Sequence, residues 1–444
     1  MTEDRGQVKF VCAFRGRRDS YQAPLALAEA GLLDRFITDI YAVPWLKTAA
    51  NFGSPSVREK VNSRCDPAIP TDRVRCLWGT TLLEHTRHRL GCSRMLTFNK
   101  LDQKFSRAAA RRAAKSRTNL FLYSPYAWEA FTTRYHHQPR KVLFQYHPHP
   151  LLENRILSND AAAFPDYAEA SLRNVAERLP EDLARRERDC WKHADLIICA
   201  SAFTRRSLLE AGADEKLCRV IHYGIEVPVP ATAVQSTERR TGSLLSPALS
   251  SKGREGEDRG TSSTTFRAVF VGTGCQRKGL HHLLLAWQRA NLPADSKLTL
   301  VCRTLDGEFE PLVAATPRVE VLKGISSREL NALYAANSLF VMPSLVEGFG
   351  QVYLEALAQG CPVLGTVNTC LPDLGGESDG IFLVSPGNVE ELTAKLEQLA
   401  TVLPGNNEMR EAARACATRF TWRAFRLCVR SALLNVRLPI PSVG

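Results

Sequence analysis

The sequence lacks several features that define broad classes of protein. Its 444 residues contain no run of about 18 apolar residues, so we expect no membrane-spanning helix. The thirteen cysteines are scattered singly and none forms a C-x-x-C pair, so we expect neither a disulfide framework nor a zinc site. The segment Met1 to Lys9 is polar and has no apolar core, so we expect no signal peptide and a reduced, cytoplasmic location.

The composition is that of a globular protein, but the charge is unevenly distributed. The chain is 44% hydrophobic and 23% charged, which excludes collagen-like and disordered classes. Residues 1–230 contain 36 Lys and Arg against 26 Asp and Glu, whereas the remainder contains 22 against 20. This excess favours anionic partners, with a merely solvated basic surface as the alternative. No RNA- or DNA-binding motif accompanies it, so we expect no nucleic-acid partner.

Strand-like and helix-like segments alternate along the chain, which predicts two α/β units with parallel sheets. We predict a first unit over residues 1–227 and a second over residues 266–420. Residues 228–265 are rich in Ser, Thr, Gly, Arg and Glu without periodicity, and are predicted to form a flexible linker or insertion. Residues 421–444 are predicted to form a helix and tail that pack back towards the first unit.

Local signals mark two helix ends in the second unit. Ser326 and Glu329 have the spacing of a capping box, which predicts that a helix begins there. Gly360 stands where the end of another helix requires a left-handed residue.

A glycine-containing loop, Val271 to Gly279, follows a predicted strand and precedes a predicted helix. Gly272 and Gly274 would let the backbone approach an anion closely, and Arg277 and Lys278 add positive charge. The loop lacks the Gly-Lys-Ser/Thr of a Walker A motif. By itself it indicates either a phosphate site or a purely structural turn.

A second loop, Pro343 to Gly360, carries a more specific pattern. Gly348 and Gly350 place backbone N–H groups at the start of a predicted helix, where a phosphate would be stabilised. Glu347 precedes that helix and Glu355 lies within it. Two carboxylates flanking a phosphate cradle suit a sugar hydroxyl on one side and a ribose on the other. Solvated carboxylates are the alternative for such a pair alone.

The run Leu345 to Thr366 resembles the retaining glycosyltransferases of family 4, the glycosyl transferases group 1. The family's E-G-F-G, second Glu and A-x-G-x-P-V stand here as Glu347 to Gly350, Glu355 and Ala358 to Val363. Further similar segments are Phe270 to Gly279, Val220 to Glu226, Gly380 to Gly387 and Phe420 to Trp422.

The resemblance implies the GT-B fold, an α/β architecture of two Rossmann-like domains facing across a cleft. It implies an N-terminal domain that binds the acceptor and a C-terminal domain that binds a UDP- or GDP-sugar donor. The implied reaction is a hexosyltransferase-type transfer (EC 2.4 class) to an acceptor hydroxyl with retention, in polysaccharide, glycolipid or other glycoconjugate synthesis. The implied acceptor is a carbohydrate or a lipid-linked molecule, and no metal or obligatory cofactor is expected. A non-catalytic sugar-nucleotide-binding protein and a sugar-nucleotide 2-epimerase are the alternatives.

The family's donor-site roles can be carried over residue by residue. Lys278 and Arg277 would neutralise the pyrophosphate as its bond to the sugar breaks. Glu347 would contact the transferred sugar, and Glu355 would bind the ribose hydroxyls. The other implied donor-binding residues are Gly272, Thr273, Gly274, Lys323, Ile325, Gly348, Phe349 and Gly350. Thr273 departs from the Arg that many members carry at this position.

The family's roles in the first unit match this sequence less closely. A histidine after the strand Val142 to Tyr146 would lie near the transferred sugar, and His147 is the better match, with His149 as the alternative. Gly16, Arg17 and His149 are the candidate acceptor residues. A single Gly16 replaces the family's Gly-Gly pair.

The segment 84–118 carries ten basic and two acidic residues and predicts an amphipathic helix. The basic positions on one face are Lys104, Arg107, Arg111 and Lys115. The apolar positions on the other are Leu101, Phe105, Ala108 and Ala109. We expect this helix to pack on the first unit with its basic face outward, where it either contacts an anionic membrane or is simply solvated.

Overall fold

A computed structural model describes residues 8–90, 94–169, 180–226 and 265–435. Apart from Thr265, the linker predicted at 228–265 lies outside these ranges, as does the predicted tail beyond residue 435.

The first half of the chain forms a parallel sheet with the strand order β3-β2-β1-β4-β5-β6-β7. Its strands are β1 (Phe10–Ala13), β2 (Leu33–Thr38), β3 (Val74–Cys76), β4 (Asn119–Tyr123), β5 (Lys141–Gln145), β6 (Leu196–Cys199) and β7 (Cys218–Val220). The helices are α1 (Gln22–Glu29), α2 (Pro44–Ala50), α3 (Pro55–Asn62), α4 (Trp78–Arg89), α5 (Arg94–Ser116), α6 (Trp128–Thr132), α7 (Pro150–Ala163), α8 (Glu181–Asp189) and α9 (Ala202–Glu210). The interior strand β1 is wholly buried, as expected for a parallel sheet covered on both faces.

The second half forms another parallel sheet, with the strand order β10-β9-β8-β11-β12-β13. Its strands are β8 (Arg267–Val271), β9 (Lys297–Val301), β10 (Val319–Leu322), β11 (Leu339–Val341), β12 (Val363–Thr366) and β13 (Ile381–Val384). The helices are α10 (Leu280–Arg289), α11 (Glu310–Ala315), α12 (Ser327–Ala336), α13 (Gln351–Ala358), α14 (Leu371–Leu374), α15 (Val389–Val402), α16 (Asn407–Thr418) and α17 (Trp422–Leu434). The capping box of Ser326 and Glu329 at the start of α12 is confirmed. Gly360 has a φ of +72°, which confirms its left-handed conformation.

The segment that follows the first sheet contacts the segment by which the chain returns from the second sheet. Ile225, which follows β7, forms a bridge with Thr421, and the Ile225 amide donates to the Phe420 carbonyl at 3.1 Å. Helix α17 then returns to the first sheet, where Arg426 forms an ion pair of 2.8 Å with Glu29 of α1.

Helix α5 has the two faces predicted from the sequence. The four basic residues of the predicted face, Lys104, Arg107, Arg111 and Lys115, are exposed, whereas Leu101, Phe105, Ala108 and Ala109 are buried against the first sheet. Of the helices described, none combines the length and apolarity needed to cross a bilayer.

The crossing point generates a stability prediction, because backbone packs directly on Gly224. A methyl group there would lie 2.2 Å from the carbonyl carbon of Thr421 and 2.3 Å from the Trp422 nitrogen. We therefore expect Gly224→Ala to reduce the free energy of unfolding by about 1–3 kcal/mol. Gly307→Ala is the control, since a methyl group there meets nothing within 4 Å. Calorimetry that gave the two variants equal unfolding midpoints would contradict the prediction.

Candidate active site

Two loops distant in sequence pack together at the carboxyl ends of β8 and β11. The Leu345 amide donates to the Arg277 carbonyl at 2.9 Å. Gly279 has a φ of +66°, and a methyl group on it would lie 2.1 Å from the Pro343 carbonyl oxygen. Only glycine satisfies both the conformation and the close approach. The packing brings the basic end of the first loop against the acidic end of the second.

Glu347 lies at the centre of this arrangement, between two cations. Its Oε2 atom contacts the Lys278 ammonium and lies 3.2 Å from Arg277 Nη1. Burial alone would raise the pKa of Glu347, but Lys278 and Arg277 lower it to about 2. The carboxylate is therefore ionised at neutral pH, and the three groups together carry one net positive charge.

A chain of ionisable groups continues from this cluster across the cleft. Arg277 Nε lies 3.9 Å from Glu153 Oε1, and Glu153 Oε2 lies 3.2 Å from His147 Nδ1. Burial favours protonation of Glu153, but His147 and Arg277 outweigh it and hold its pKa below the ordinary value. The sequence analysis missed Glu153, because only the packing of α7 against the second domain brings it between the two residues.

The two glycines of the E-G-F-G segment meet different structural demands. A methyl group on Gly348 would lie 1.9 Å from the Tyr146 carbonyl oxygen at the end of β5. The Gly348 carbonyl accepts from the hydroxyls of Ser201, at 2.5 Å, and Thr204, at 3.2 Å. Gly350 precedes α13 with a φ of +79°. Gly348 thus permits contact between the two halves, and Gly350 permits the turn into the helix.

The backbone amides at the start of α13, where the sequence predicts an anion cradle, are unpaired within the described residues. The amides of Gly348, Phe349 and Gly350 donate to no acceptor within the ranges that the structure describes. They lie at a helix N-terminus, where a negative charge is stabilised. The Phe349 side chain is buried and its ring packs edge-on against Tyr223, with the ring centroids 5.3 Å apart. Only the backbone amide of Phe349 is therefore available to an anion.

The backbone amides of Gly272 and Gly274 in the first loop are already hydrogen-bonded within the protein. The Gly272 amide donates to the Val301 carbonyl at 3.0 Å, and the Gly274 amide donates to the Thr304 carbonyl at 2.9 Å. Neither amide is free for a phosphate, because both extend the pairing beyond the end of β8. Thr273 is exposed between them. Positive charge at this loop therefore comes from the side chains of Arg277 and Lys278.

The remaining candidate donor-binding residues lie within α13 and directly after β10. Glu355 is half-buried within α13, and burial raises its pKa. Its carboxylate has no hydrogen bond or ion pair to any residue in the described ranges. Lys323 and Ile325 follow β10, two strands from β8, with Lys323 exposed and Ile325 half-buried.

Only one of the two candidate histidines is brought to the cleft. His149 is 1% exposed and caps α7, where its Nδ1 accepts from the Leu151 amide at 3.3 Å. Its Nε2 lies 2.8 Å from the Arg188 carbonyl. Both ring nitrogens of His149 are therefore hydrogen-bonded, and burial lowers its pKa. His149 caps the N-terminus of α7, whereas His147 faces Glu153.

The other acceptor candidates lie on the loop after β1. Gly16 has a φ of +79° and its amide donates to Asp39 Oδ1 at 3.0 Å, while Arg17 is exposed. Asp19, which the sequence analysis missed, has a φ of +47° and begins three consecutive residues in the left-handed region. Its buried carboxylate accepts from the hydroxyls of Tyr123 and Tyr223, each at 2.8 Å. No periodic pattern could have indicated this contact.

Two parallel-sheet, Rossmann-like domains that face each other across this cleft define the GT-B fold, so the predicted fold is confirmed. Sucrose-phosphate synthase from Thermosynechococcus elongatus superimposes with a TM-score of 0.63 at 17% identity, covering 97% of this chain and 99% of that chain. HepE from Anabaena, solved in complex with UDP, superimposes with a TM-score of 0.55 at 15% identity, covering 96% and 100%.

The sequence comparisons concern mainly the second domain. Residues 265–401 match the family model described as Glycosyl transferases group 1. MMP α-(1→4)-mannosyltransferase of Mycolicibacterium hassiacum is 37% identical over 127 residues, 28% of this chain and 31% of that protein. D-inositol 3-phosphate glycosyltransferase of Corynebacterium aurimucosum is 28% identical over 274 residues, 57% of this chain and 61% of that protein. The aligned part is thus less than two thirds of either relative.

The low pKa of Glu347 predicts how acid stability depends on this residue. A carboxyl group whose pKa falls from 4.5 to about 2 on folding stabilises the protein above about pH 4.5. The stabilisation is lost as the pH falls from there towards 2. We expect Glu347→Gln to lower the free energy of unfolding at pH 7 by about 2–3 kcal/mol and to flatten its dependence on pH below 5.

Denaturant titrations between pH 3 and 7 measure this effect. Glu355→Gln is the control with the opposite sign, because a carboxyl with a raised pKa costs stability as the pH rises through that pKa. Parallel curves for the wild type and Glu347→Gln would show that the pKa of Glu347 is not lowered in the folded protein.

Proposed function

We propose that this protein is a glycosyltransferase that moves a sugar from a UDP- or GDP-sugar to an acceptor hydroxyl with retention of anomeric configuration. One observation carries the proposal: Lys278 and Arg277 converge with Glu347 beside unpaired amides at the start of α13. A diphosphate next to a sugar fits this combination of cations, amides and carboxylate. The matched family model and the activities in the names of the relatives support the same reaction class.

The cations act where negative charge develops. As the bond between the anomeric carbon and the phosphate oxygen breaks, Lys278 and Arg277 stabilise the leaving diphosphate more than the intact donor. The acceptor oxygen bonds to the anomeric carbon from the same face, and its proton passes to the departing phosphate oxygen. The cationic side chains supply the stabilisation, so the proposal requires no metal.

The carboxylates and His147 hold the two sugars of the donor. Glu347 contacts the transferred sugar, and Glu355, whose carboxylate has no protein partner, binds the ribose hydroxyls. With Nδ1 of His147 directed at Glu153, its Nε2 is left to accept from a hydroxyl of the transferred sugar. Lys323 and Ile325 would contact the base. We assign donor binding to residues 266–420 and acceptor binding to residues 1–227.

Substitution of two donor residues tests this function. With purified protein and a panel of UDP- and GDP-sugars, we expect mass spectrometry to show consumption of one donor. Lys278→Ala should reduce turnover by about 100-fold or more, since it removes a charge aimed at the leaving group. Glu355→Ala should raise the donor dissociation constant by roughly 10-fold or more through lost hydrogen bonds to a charged acceptor. Lys297→Ala, at the opposite end of the second sheet, is the control.

The results separate the proposed reaction from its alternatives. Donor binding without turnover would identify a non-catalytic sugar-nucleotide-binding protein. Conversion of the donor to its 2-epimer without a transfer product would identify an epimerase. If no sugar nucleotide bound at all, glycosyl transfer would be rejected.

We propose secondly that the basic face of α5 makes peripheral contact with an anionic membrane, where a lipid-linked acceptor would reside. Four exposed cations lie along one face of this 23-residue helix, and its other face is anchored in the first domain. Each basic residue near an anionic bilayer contributes about 1 kcal/mol, so four suffice for reversible attachment.

Sedimentation with anionic vesicles tests this contact. The protein should sediment with vesicles at low salt and be released at high salt, and changing Lys104, Arg107, Arg111 and Lys115 to Gln should largely abolish attachment. A control variant with the same loss of charge changes the exposed residues Lys216, Arg289, Lys297 and Arg328 to Gln. If both quadruple variants behaved alike, the attachment would not belong to α5.

A further inference from the structure

Helix α7 directs one face at the loop that carries the proposed catalytic cations. Glu153, Leu157 and Asp160 are spaced by four and three residues, so they share a face of the helix. Glu153 faces Arg277, as described above. Leu157 and Asp160, lying further along, contact the residue just before Arg277.

That residue is Gln276, which is completely buried. Its Nε2 donates to the Leu157 carbonyl at 3.0 Å and to Asp160 Oδ2 at 2.8 Å. Its Oε1 accepts from the Glu169 amide at 2.8 Å. Every polar atom of this side chain is therefore bonded to the first domain, although Gln276 belongs to the second.

Asp160 receives two further donors from the second domain. His282 Nε2 lies 2.6 Å from Oδ1 and His281 Nε2 lies 3.1 Å from Oδ2, at the beginning of α10. All three side chains are buried, and Phe164 packs on both histidine rings. All three side-chain donors to Asp160 thus come from the opposite domain, so separating the domains would strip a buried carboxylate of its partners.

The same three side chains are also metal-ligand types, with candidate ligand atoms within 4.8 Å of one another. Two ligands on one zinc ion, at bond lengths of about 2.0–2.1 Å in a tetrahedron, are about 3.3 Å apart. The 2.6 Å contact between His282 and Asp160 is shorter than that and has the length of a hydrogen bond. Asp160 Oδ2 is also already occupied by Gln276. The geometry favours a hydrogen-bonded network over a metal site.

We infer that Asp160 is a positioning residue, which holds Gln276 and thereby sets Arg277 and Lys278 in their places relative to the first domain. The helix that carries Asp160 begins directly after His147 and His149, and it also carries Glu153. One rigid element therefore fixes both the histidine on the sugar side and the cations on the phosphate side. The kinetic part of this inference rests on the proposed function, whereas the locking of the loop does not.

Hydrogen exchange of the full chain without donor tests the locking. Asp160→Asn should increase exchange of amides in residues 276–283, and Asp166→Asn, an exposed change just beyond α7, should not. Unchanged exchange in Asp160→Asn would overturn the inference regardless of any activity. Metal bound stoichiometrically to the wild type and lost from Asp160→Asn would overturn it in favour of a metal site.

Kinetics test the positioning role. Asp160→Asn should lower kcat by about 10-fold or more and leave the donor dissociation constant within about twofold. His282→Gln retains an N–H donor and should behave nearly as the wild type, whereas His282→Leu should show the defect of Asp160→Asn. These His282 variants also serve if Asp160→Asn does not fold. A kcat per folded molecule equal to that of the wild type, with only the melting temperature lowered, would reduce Asp160 to a purely structural role and refute the inference.

Discussion

The contact between Gly348 and the end of β5 constrains the whole cleft. The carbonyl of Tyr146 occupies the space that any side chain at position 348 would need, and two hydroxyls of the first domain bind the Gly348 carbonyl. The loop that carries Glu347 is therefore held by close backbone packing against Tyr146 and by the hydroxyls of Ser201 and Thr204. This fixes where Glu347 meets Lys278 and Arg277, next to the unpaired amides at the start of α13.

The charged residues of the site differ because their neighbours differ. Glu347 is buried and Glu153 is half-buried, yet nearby cations keep the pKa of each below its ordinary value. Glu355 has no such neighbour, so burial alone acts and its pKa rises. The pKa of Asp160 is lowered by N–H donors from Gln276 and two histidines, not by Arg or Lys, and the carboxylate stays ionised. Each carboxylate therefore has a distinct affinity for protons and for hydroxyl ligands.

Much of the fold and the local part of the site could be predicted from the sequence, because the relevant signals are local. Glycines at helix termini, the capping box of Ser326 and the continuous apolar strands depend on a few adjacent residues. Strands β2 and β3 carry weaker sequence signals, because β2 contains Asp34 and Arg35 and β3 has only three residues. The roles of Gly272, Gly274, His149 and Asp160 depend on partners far away in the chain. Only the tertiary structure shows that the two glycine amides are occupied and that His149 is a helix cap.

The junction at which the chain returns from the second domain to the first has a mechanical consequence. Ile225 and Thr421 form a bridge, and the adjacent Phe420 carbonyl accepts from the Ile225 amide. The continuous chain from Phe420 into α17 and its bridge to Ile225 together join the two domains at one point. They act as a pivot, and the remaining freedom is rotation about it. In such a rotation, the displacement of an atom grows with its distance from the pivot. An interdomain contact far from the pivot therefore restricts the rotation more than an equally strong contact close to it.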